Sequence, residues 1–354
     1  MYLEPTVPLA IYAPHEFGKA QAKTAEGVLR YGRNPIACVI DEAHAGKSIK
    51  EVCGIDCAAP IVSTVDEALA LKSGALLLGT AWSGGALPEA WKKDIKLALL
   101  GGMDVVNGLH DFLEEDEEIS KVAKAHGRRL FDVRKSPEKL PVAKGLVMES
   151  GAFVVLTVGT DCSVGKMTVA LEIQKLARSK NIDAQFVATG QTGIMICGEG
   201  IAIDRVIGDF MAGATEKMVL EKAAPGNLIL VEGQGSLAHP GFSGVTLALL
   251  HGACPQALIL CHRPSRSTIK GTEIPISSYS RLIETYEAMA SYMRPAKVIA
   301  LALNTQDLSR EEALAAIKKA EEETGLPAAD PVRFGAGTLL AAIEEAGLLS
   351  PIGK

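Results

Sequence analysis

The residues best equipped for chemistry lie in one stretch, Gly159-Thr160-Asp161-Cys162-Ser163-Val164-Gly165-Lys166-Met167-Thr168, behind the apolar run 153–158. A glycine-rich turn between a strand and a helix aims several backbone N–H groups at one point, and a lysine there adds a flexible positive charge. Together they hold a phosphate or a similar anion. Val169, Ile173 and Leu176 follow at the spacing of one buried helix face, so the order is strand, loop, helix. The common form of the loop is G-x-x-x-x-G-K-[ST], whose hydroxyl residue binds Mg²⁺. This loop departs from it twice: five residues separate Gly159 from Gly165, and Met167 stands in the hydroxyl position. A one-residue shift turns a side chain by roughly 100° around the helix, so Thr168 does not replace the missing hydroxyl in the usual way. Cys162 lies where a helix N-terminus can lower a thiol pKa. With no histidine beside it in the chain, it reads as a loop residue rather than a nucleophile.

Further polar residues follow other apolar runs. Glu232 lies in Val231-Glu232-Gly233-Gln234-Gly235, directly after Leu228-Ile229-Leu230. Thr189, Gln191, Thr192 and Gly193 follow Phe186-Val187-Ala188, and Asp204 and Asp209 come next. Helical spacing does not put those two carboxylates on one narrow stripe, so one is read as a cap and the other as facing a ligand. His239 follows Glu232 closely, and Arg263 and Arg266 follow the run 257–262. The planar guanidinium fork binds carboxylate or phosphate; the structural alternative is an ion pair with the acidic loops. In the first half, His110 precedes Asp111 and is a base only if a carboxylate orients it; local packing is the simpler reading. The loop 79–88, with Gly84, Gly85 and Pro88, is a candidate binding edge, a turn shaped by connectivity being the alternative.

The elements that must position these groups alternate strand and helix. Strands are expected at 9–13, 36–40, 60–62, 75–79 and just before Gly108, and then at 152–158, 184–189, 227–232, 257–262 and 296–303, with two helical segments near the end. Such alternation argues an α/β chain of two doubly wound parallel sheets. The domains are read as 1–133, a Lys-, Pro- and Gly-containing linker at 134–147, and 148–354. Asp41 ends the second strand, where dinucleotide-binding domains hold a ribose. The G-x-G-x-x-G fingerprint is missing, so a nicotinamide cofactor is not expected.

Composition narrows the function classes. The 354 residues are 48% hydrophobic and 22% charged, which supports substantial cores. A formal net charge of −6 argues against a general nucleic-acid binder. No apolar run approaches the roughly 20 residues that span a bilayer, and the start lacks the pattern of a signal peptide, so a cytoplasmic protein is expected. The seven cysteines are scattered, and Cys53 and Cys57 lack the further ligands a zinc site needs. They read as buried free thiols, and no resident metal is expected.

The loop Gly159-Thr160-Asp161 with Val164-Gly165-Lys166 resembles the G-T-D-x-x-V-G-K-T loop of dethiobiotin synthetase and its P-loop relatives. Val231-Glu232-Gly233-Gln234-Gly235 resembles that group's V-E-G-A-G strand end, whose Glu meets Mg²⁺. The segment 60–68 is similar to the strand–turn–helix of CoA-binding domains in succinyl-CoA ligases. Over nearly the full length, the loop with its Met167, Thr189-Gly190-Gln191-Thr192-Gly193, the Glu232 strand end and Gly108-Leu109-His110-Asp111-Phe112-Leu113 resemble a bacterial and archaeal family. That family's described activity is D-glutamate N-acetyltransferase. The resemblance implies a Rossmann-like N-terminal domain, a P-loop C-terminal domain and acetyl-CoA as co-substrate. In such an enzyme the loop 159–168 binds the cofactor, with Lys166 acting in catalysis; Glu232, Asp204 or His239 deprotonates the amine. Thr189, Gln191, Thr192, Gly193, Arg263 and Arg266 would hold the substrate. A homo-oligomer acting on a small molecule, without nucleic-acid or membrane partners, is expected. Two alternatives stay open: an ATP- and Mg²⁺-dependent ligase or kinase acting on a small carboxylate, and a non-catalytic nucleotide-binding protein.

Overall fold

The computed structural model describes residues 3–80 and 85–348. Positions 81–84 of the candidate loop 79–88 lie outside the described residues. The chain divides into two compact units, residues 1–136 with 190–202, and residues 137–189 with 203–354.

The first unit carries β1 (Leu9–Tyr12), β2 (Ile36–Ile40), β3 (Ile61–Val62), β4 (Ala75–Leu78), β5 (Asp104–Asn107) and β6 (Leu130–Asp132). All pair in parallel, in the order β3-β2-β1-β4-β5-β6. Every residue of β1 and β4 is buried, as a strand covered on both faces requires. One face packs on the helix Trp91–Leu100, whose Ile95, Ala98 and Leu99 join the core; Tyr12 meets Trp91 edge-on at 5.0 Å. At the segment 60–68, Thr64 caps the helix Val65–Ala70 by accepting from the Glu67 amide. That is the strand–turn–helix read from the sequence.

The second unit carries β7 (Phe153–Gly159), β8 (Ala184–Val187), β9 (Leu228–Val231), β10 (Ala257–His262), β11 (Lys297–Leu303) and β12 (Ala328–Ala329). Their order is β12-β11-β10-β7-β9-β8, again parallel throughout. β7 thus lies between β10 and β9, and its carboxyl end opens onto the point where the strand order reverses. Ligands of open α/β sheets bind at such points.

Both sheets have the expected class, with short edge strands, β6 and β12, that no sequence pattern marked. Two stretches differ from the simple division of the chain. Residues 190–202 leave the second unit after Thr189 and complete the first. Their helix Gln191–Cys197 buries Ile194, Met195 and Ile196, and Thr192 Oγ1 lies 2.7 Å from Thr24 Oγ1. The excursion is closed at its base, where the Ile203 amide donates to the Thr189 carbonyl at 2.9 Å. Nor is the stretch 134–147 a loose tether. Arg134 is buried and donates to the Gly108 carbonyl at 2.8 Å, while the Lys144 and Leu146 amides donate to Glu216 at 2.9 and 2.8 Å. The unit boundary falls between Ser136 and Pro137.

The cysteines are free thiols, but burial holds only for Cys38, Cys254 and Cys261; Cys53, Cys57, Cys162 and Cys197 are half-buried. Among the described residues, no helix is long and apolar enough to cross a membrane.

Candidate functional site

The phosphate-type loop begins where β7 ends and stops at the helix Lys166–Ser179. Each part of it is tied down. Tyr286, wholly buried, donates its hydroxyl to the Gly159 carbonyl at 2.7 Å and accepts from the Leu237 amide at 3.1 Å. The Thr160 amide donates to Cys261, and Thr160 Oγ1 lies 2.9 Å from His262 Nδ1. Burial, with the nearby Arg266 charge, depresses His262 to about 4, so this imidazole is neutral. Ser163 adopts φ +54°, a left-handed conformation uncommon for a side-chain-bearing residue. Gly165 follows at φ +102°, where a Cβ would be strained. The chain thereby doubles back over the helix start. Lys166 is buried, and its Nζ donates to the Asp161 carbonyl at 2.8 Å. A Cβ on Gly159 would sit 2.9 Å from that Nζ, so the first glycine leaves the lysine its room.

Asp161 is the loop's internal anchor. Its side chain is fully buried and accepts from the Cys162 amide (2.7 Å), the Lys270 amide (2.8 Å) and Arg266 Nη1 (2.7 Å). Burial alone would push this carboxyl up. The two amides and the guanidinium outweigh it and hold Asp161 below the usual carboxylate range. Arg266 Nη1 also donates to the Cys162 carbonyl at 2.7 Å. Arg266 therefore staples the loop. Arg263 forms a two-pronged pair with Asp307 at 2.7 and 2.6 Å. Both arginines meet the chain's own carboxylates, the structural alternative to the substrate role expected of them.

Glu232 stands on the neighbouring strand end. Leu156 of β7 is in register with Val231 of β9, which puts Glu232 beside Thr157. Glu232 is 6% exposed; its Oε2 accepts from the Thr189 amide at 3.0 Å, and its carbonyl accepts from Thr189 Oγ1 at 2.8 Å. Gly233 packs so tightly that a Cβ would fall 1.6 Å from the Thr157 carbonyl oxygen and 3.0 Å from Lys166 Cδ. Sheet pairing thus brings the Glu232 segment against the stem of Lys166, across 66 positions of chain. The donor set does not suit Mg²⁺ in the usual P-loop manner. The residue after the lysine is Met167, and a thioether is a poor ligand for a hard cation.

His239 stands near Cys162 in the fold. A thiol with no histidine beside it in sequence has one beside it in space: ligand atoms of Asp161, Cys162 and His239 all lie within 4.8 Å of one another. The His239 ring is buried and lies against Phe242 at 4.4 Å. The Gly241 amide donates to Nδ1 at 3.1 Å, so Nδ1 carries the lone pair and Nε2–H points to the Lys270 carbonyl at 3.2 Å. Burial and the Asp161 charge raise the Cys162 thiol, while Lys166 and Lys270 pull it down; the net shift is upward. At rest the sulfur is therefore protonated.

The remaining candidates are distributed. Thr189 is buried at the Glu232 strand end. Asp204 is half-buried on the short turn Ile203–Arg205, which is anchored to Thr189. Asp209 is exposed in the first turn of the helix Gly208–Leu220. Gln191, Thr192 and Gly193 belong to the first unit, not to the P-loop unit. His110, also in the first unit, has its amide bonded to the Gly85 carbonyl at 2.9 Å. Two contributors carried no signal as single residues: Tyr286, which pins Gly159, and Lys270. The Lys270 amide holds Asp161, its carbonyl orients His239, and its Nζ approaches Ser163 Oγ at 3.4 Å. The step Lys270-Gly271, so soon after Arg266, was the only hint.

Comparison with known proteins agrees with this architecture. Two family models match: a domain of unknown function described as the DUF1611_N Rossmann-like domain over residues 42–136, and the DUF1611_C P-loop domain over 141–340. A D-glutamate N-acetyltransferase of Tritonibacter scottomollicae is 42% identical over 282 residues, 79% of this chain and 84% of that protein. A protein of the same name from a Pseudoalteromonas species is 39% identical over 282 residues, 78% of this chain and 83% of that protein. The crystal structure of a DUF1611 family protein from Anabaena variabilis superposes with a TM-score of 0.92 at 39% identity, covering 96% of this chain and all of that one.

Proposed function

The chain belongs to the DUF1611 family, and from that membership and the loop geometry we propose that it transfers an acetyl group from acetyl-CoA to the amino group of D-glutamate. The observation that carries this reading is an anion-binding loop with a buried lysine and, at the usual metal position, a thioether. Such a loop meets negative charge on a ligand or a transition state without Mg²⁺–nucleotide chemistry. Loop 159–168 binds acetyl-CoA, and Lys166 balances the charge that develops there. Amides of the loop serve as oxyanion donors. The α-ammonium of the acceptor must lose a proton before it attacks. Glu232 is the base of choice, being buried beside the Lys166 stem, with Asp204 next to Thr189 as the alternative. Lys270, exposed at the loop mouth near Ser163, offers charge to an acceptor carboxylate. The enzyme is further taken to be a cytoplasmic homo-oligomer acting on a small molecule, and light scattering tests the assembly.

The rival reading is a ligase or kinase using Mg²⁺-ATP, favoured by the pairing of Lys166 with a glutamate at the adjacent strand end. Thiol release is measured with purified protein, acetyl-CoA and D- or L-glutamate, in EDTA and with added Mg²⁺-ATP. Release that needs D-glutamate and persists in EDTA is expected. Absence of thiol release, with ADP formed in a carboxylate-dependent way, would replace this reading by the rival.

A further inference from the structure

The first unit has a hollow of about 250 Å³ at the carboxyl edge of its sheet, between the turn that follows β1 and the segment that follows β2. We propose that this hollow binds a free acidic amino acid, with Lys19 and Lys47 meeting its two carboxylates and Glu51 its ammonium group. Phe17 and Val52 supply the apolar part of the lining, and Lys19, His44, Lys47 and Glu51 the polar part.

The hollow is built on a buried anchor. His44 Nδ1 donates to Oδ2 of the fully buried Asp41 at 2.6 Å. Oδ1 of the same carboxylate accepts from the His15 amide at 2.7 Å and the Ala43 amide at 3.3 Å, so one side chain ties both walls together. Gly18 strengthens the join. It adopts φ +80°, and a Cβ there would fall 2.9 Å from Val52 Cγ1. With Nδ1 committed to Asp41, Nε2 is the His44 nitrogen left for a ligand.

The charges around it are available. Glu51 Oε2 accepts from the Ser48 hydroxyl at 2.6 Å and the Ser48 amide at 2.8 Å. These bonds hold its carboxyl below the usual range, and Oε1 has no partner among the described residues. Lys19 Nζ gives one N–H to the His15 carbonyl at 2.5 Å and keeps two. Lys47 forms no ion pair among the described residues.

Charge and size decide the ligand class. Two ammonium groups and one carboxylate line the hollow; an acidic amino acid carries the inverse set, two carboxylates and one ammonium, on a short apolar stem. Inorganic phosphate or a plain dicarboxylate would stand against Glu51, and a metal cation against both lysines. A nucleotide or coenzyme A is too large, since drug-sized ligands occupy roughly 300–1,000 Å³. The chemistry matches that of the acceptor proposed above, but this site uses no residue of the loop 159–168 and does not depend on acetyl transfer.

The test reads the His44 ring in full-length protein labelled at histidine, its NMR signal assigned by its loss in His44→Gln. D- and L-glutamate are titrated in separate arms beside glutarate, N-acetyl-D-glutamate and inorganic phosphate. Glutamate should shift the His44 signal saturably and more tightly than the three ligands that lack an ammonium. Glu51→Gln, which keeps the helix cap, should weaken glutamate roughly fivefold and leave glutarate unchanged. Lys19→Met with Lys47→Met should weaken both by about tenfold or more. An unmoved His44 signal at about 100 times the concentration that half-saturates an ordinary micromolar site, phosphate binding as tightly as glutamate, or wild-type affinity in Glu51→Gln would each overturn the proposal. Thiol release with acetyl-CoA and D-glutamate decides the acetyltransferase reading separately, so either can fail while the other stands.

Discussion

The two units have the same class of sheet and use the acid at a strand's carboxyl end in the same way, yet the groups gathered near the two acids differ in kind and burial. In the first unit Asp41 ends β2, fully buried. It accepts from the His15 amide at 2.7 Å, the Ala43 amide at 3.3 Å and His44 Nδ1 at 2.6 Å. In the second, Asp161 accepts from two amides and an arginine. Each carboxylate is bonded to groups of its own chain and fixes a turn. Asp41's partner His44 lines a hollow of about 250 Å³ together with Lys19, Lys47 and Glu51, charges of both signs. Around Asp161 the neighbours are a buried lysine, a thiol, an imidazole and, one strand over, a buried glutamate. A strand-end acid marks where a loop is anchored. Chemistry follows from what the anchored loop brings together.

The largest effect that would sharpen this contrast is on turnover. Lys166→Ala should lower transfer by roughly 100- to 1,000-fold through lost charge stabilisation, measured as initial thiol release. Glu232→Gln should lower it by on the order of 100-fold with little change in melting temperature. If either variant loses activity only because it unfolds, as circular dichroism would reveal, the second edge is no more functional than the first.

Next comes stability. Arg266→Ala strands a fully buried carboxylate and should destabilise the protein by about 3 kcal/mol, read from urea denaturation. Asp41→Asn keeps the shape and some acceptors of its turn; about 1 kcal/mol is expected, with transfer unchanged. A large activity loss in Asp41→Asn would erase the distinction between the edges.

Acid should act first on the second edge. His262 is depressed to about 4 in the folded protein against an ordinary value of 6.5, so the unfolded chain binds more protons between those values. The stability this contributes is complete above pH 6.5 and is lost as pH falls through about 4. Asp161 is also depressed, so its contribution disappears below the ordinary value of 3.8. Urea midpoints should decline from pH 7 to 4, and His262→Gln should flatten the upper part of that decline. An unchanged slope would show that the Thr160–His262 contact does not hold the loop. The smallest effect belongs to Arg263→Ala, whose pair with Asp307 is partly exposed: less than about 1 kcal/mol, and no change in transfer.

Much of this was legible in the chain. Strands buried on both faces are written as largely apolar runs, so ten of the twelve strands among the described residues could be placed before any coordinates. The exceptions are β6, Leu130–Asp132, whose short apolar pair runs into an acid, and β12, two alanines with no β-branched residue to mark a strand; β3 is as short as β12, but its Ile61-Val62 pair showed it. The loop 159–168 was readable because an anion cradle needs glycine at fixed spacing from a lysine, and that constraint is local. Glu232 was readable for the same reason, as the residue that ends an apolar strand.

What the sequence determined by itself is thus what strand–loop–helix units enforce locally: the two parallel sheets, the P-loop and the absence of a hydroxyl after its lysine. Only the tertiary structure decided who stands next to whom across many residues. It closed Arg263 and Arg266 onto Asp307 and Asp161, returned Gln191, Thr192 and Gly193 to the first unit, and set His239 beside Cys162. The physical reason is that a periodic pattern records which face of an element is buried. Which strand ends become neighbours depends on the order of strands in the sheet, and no residue of the chain carries that order alone.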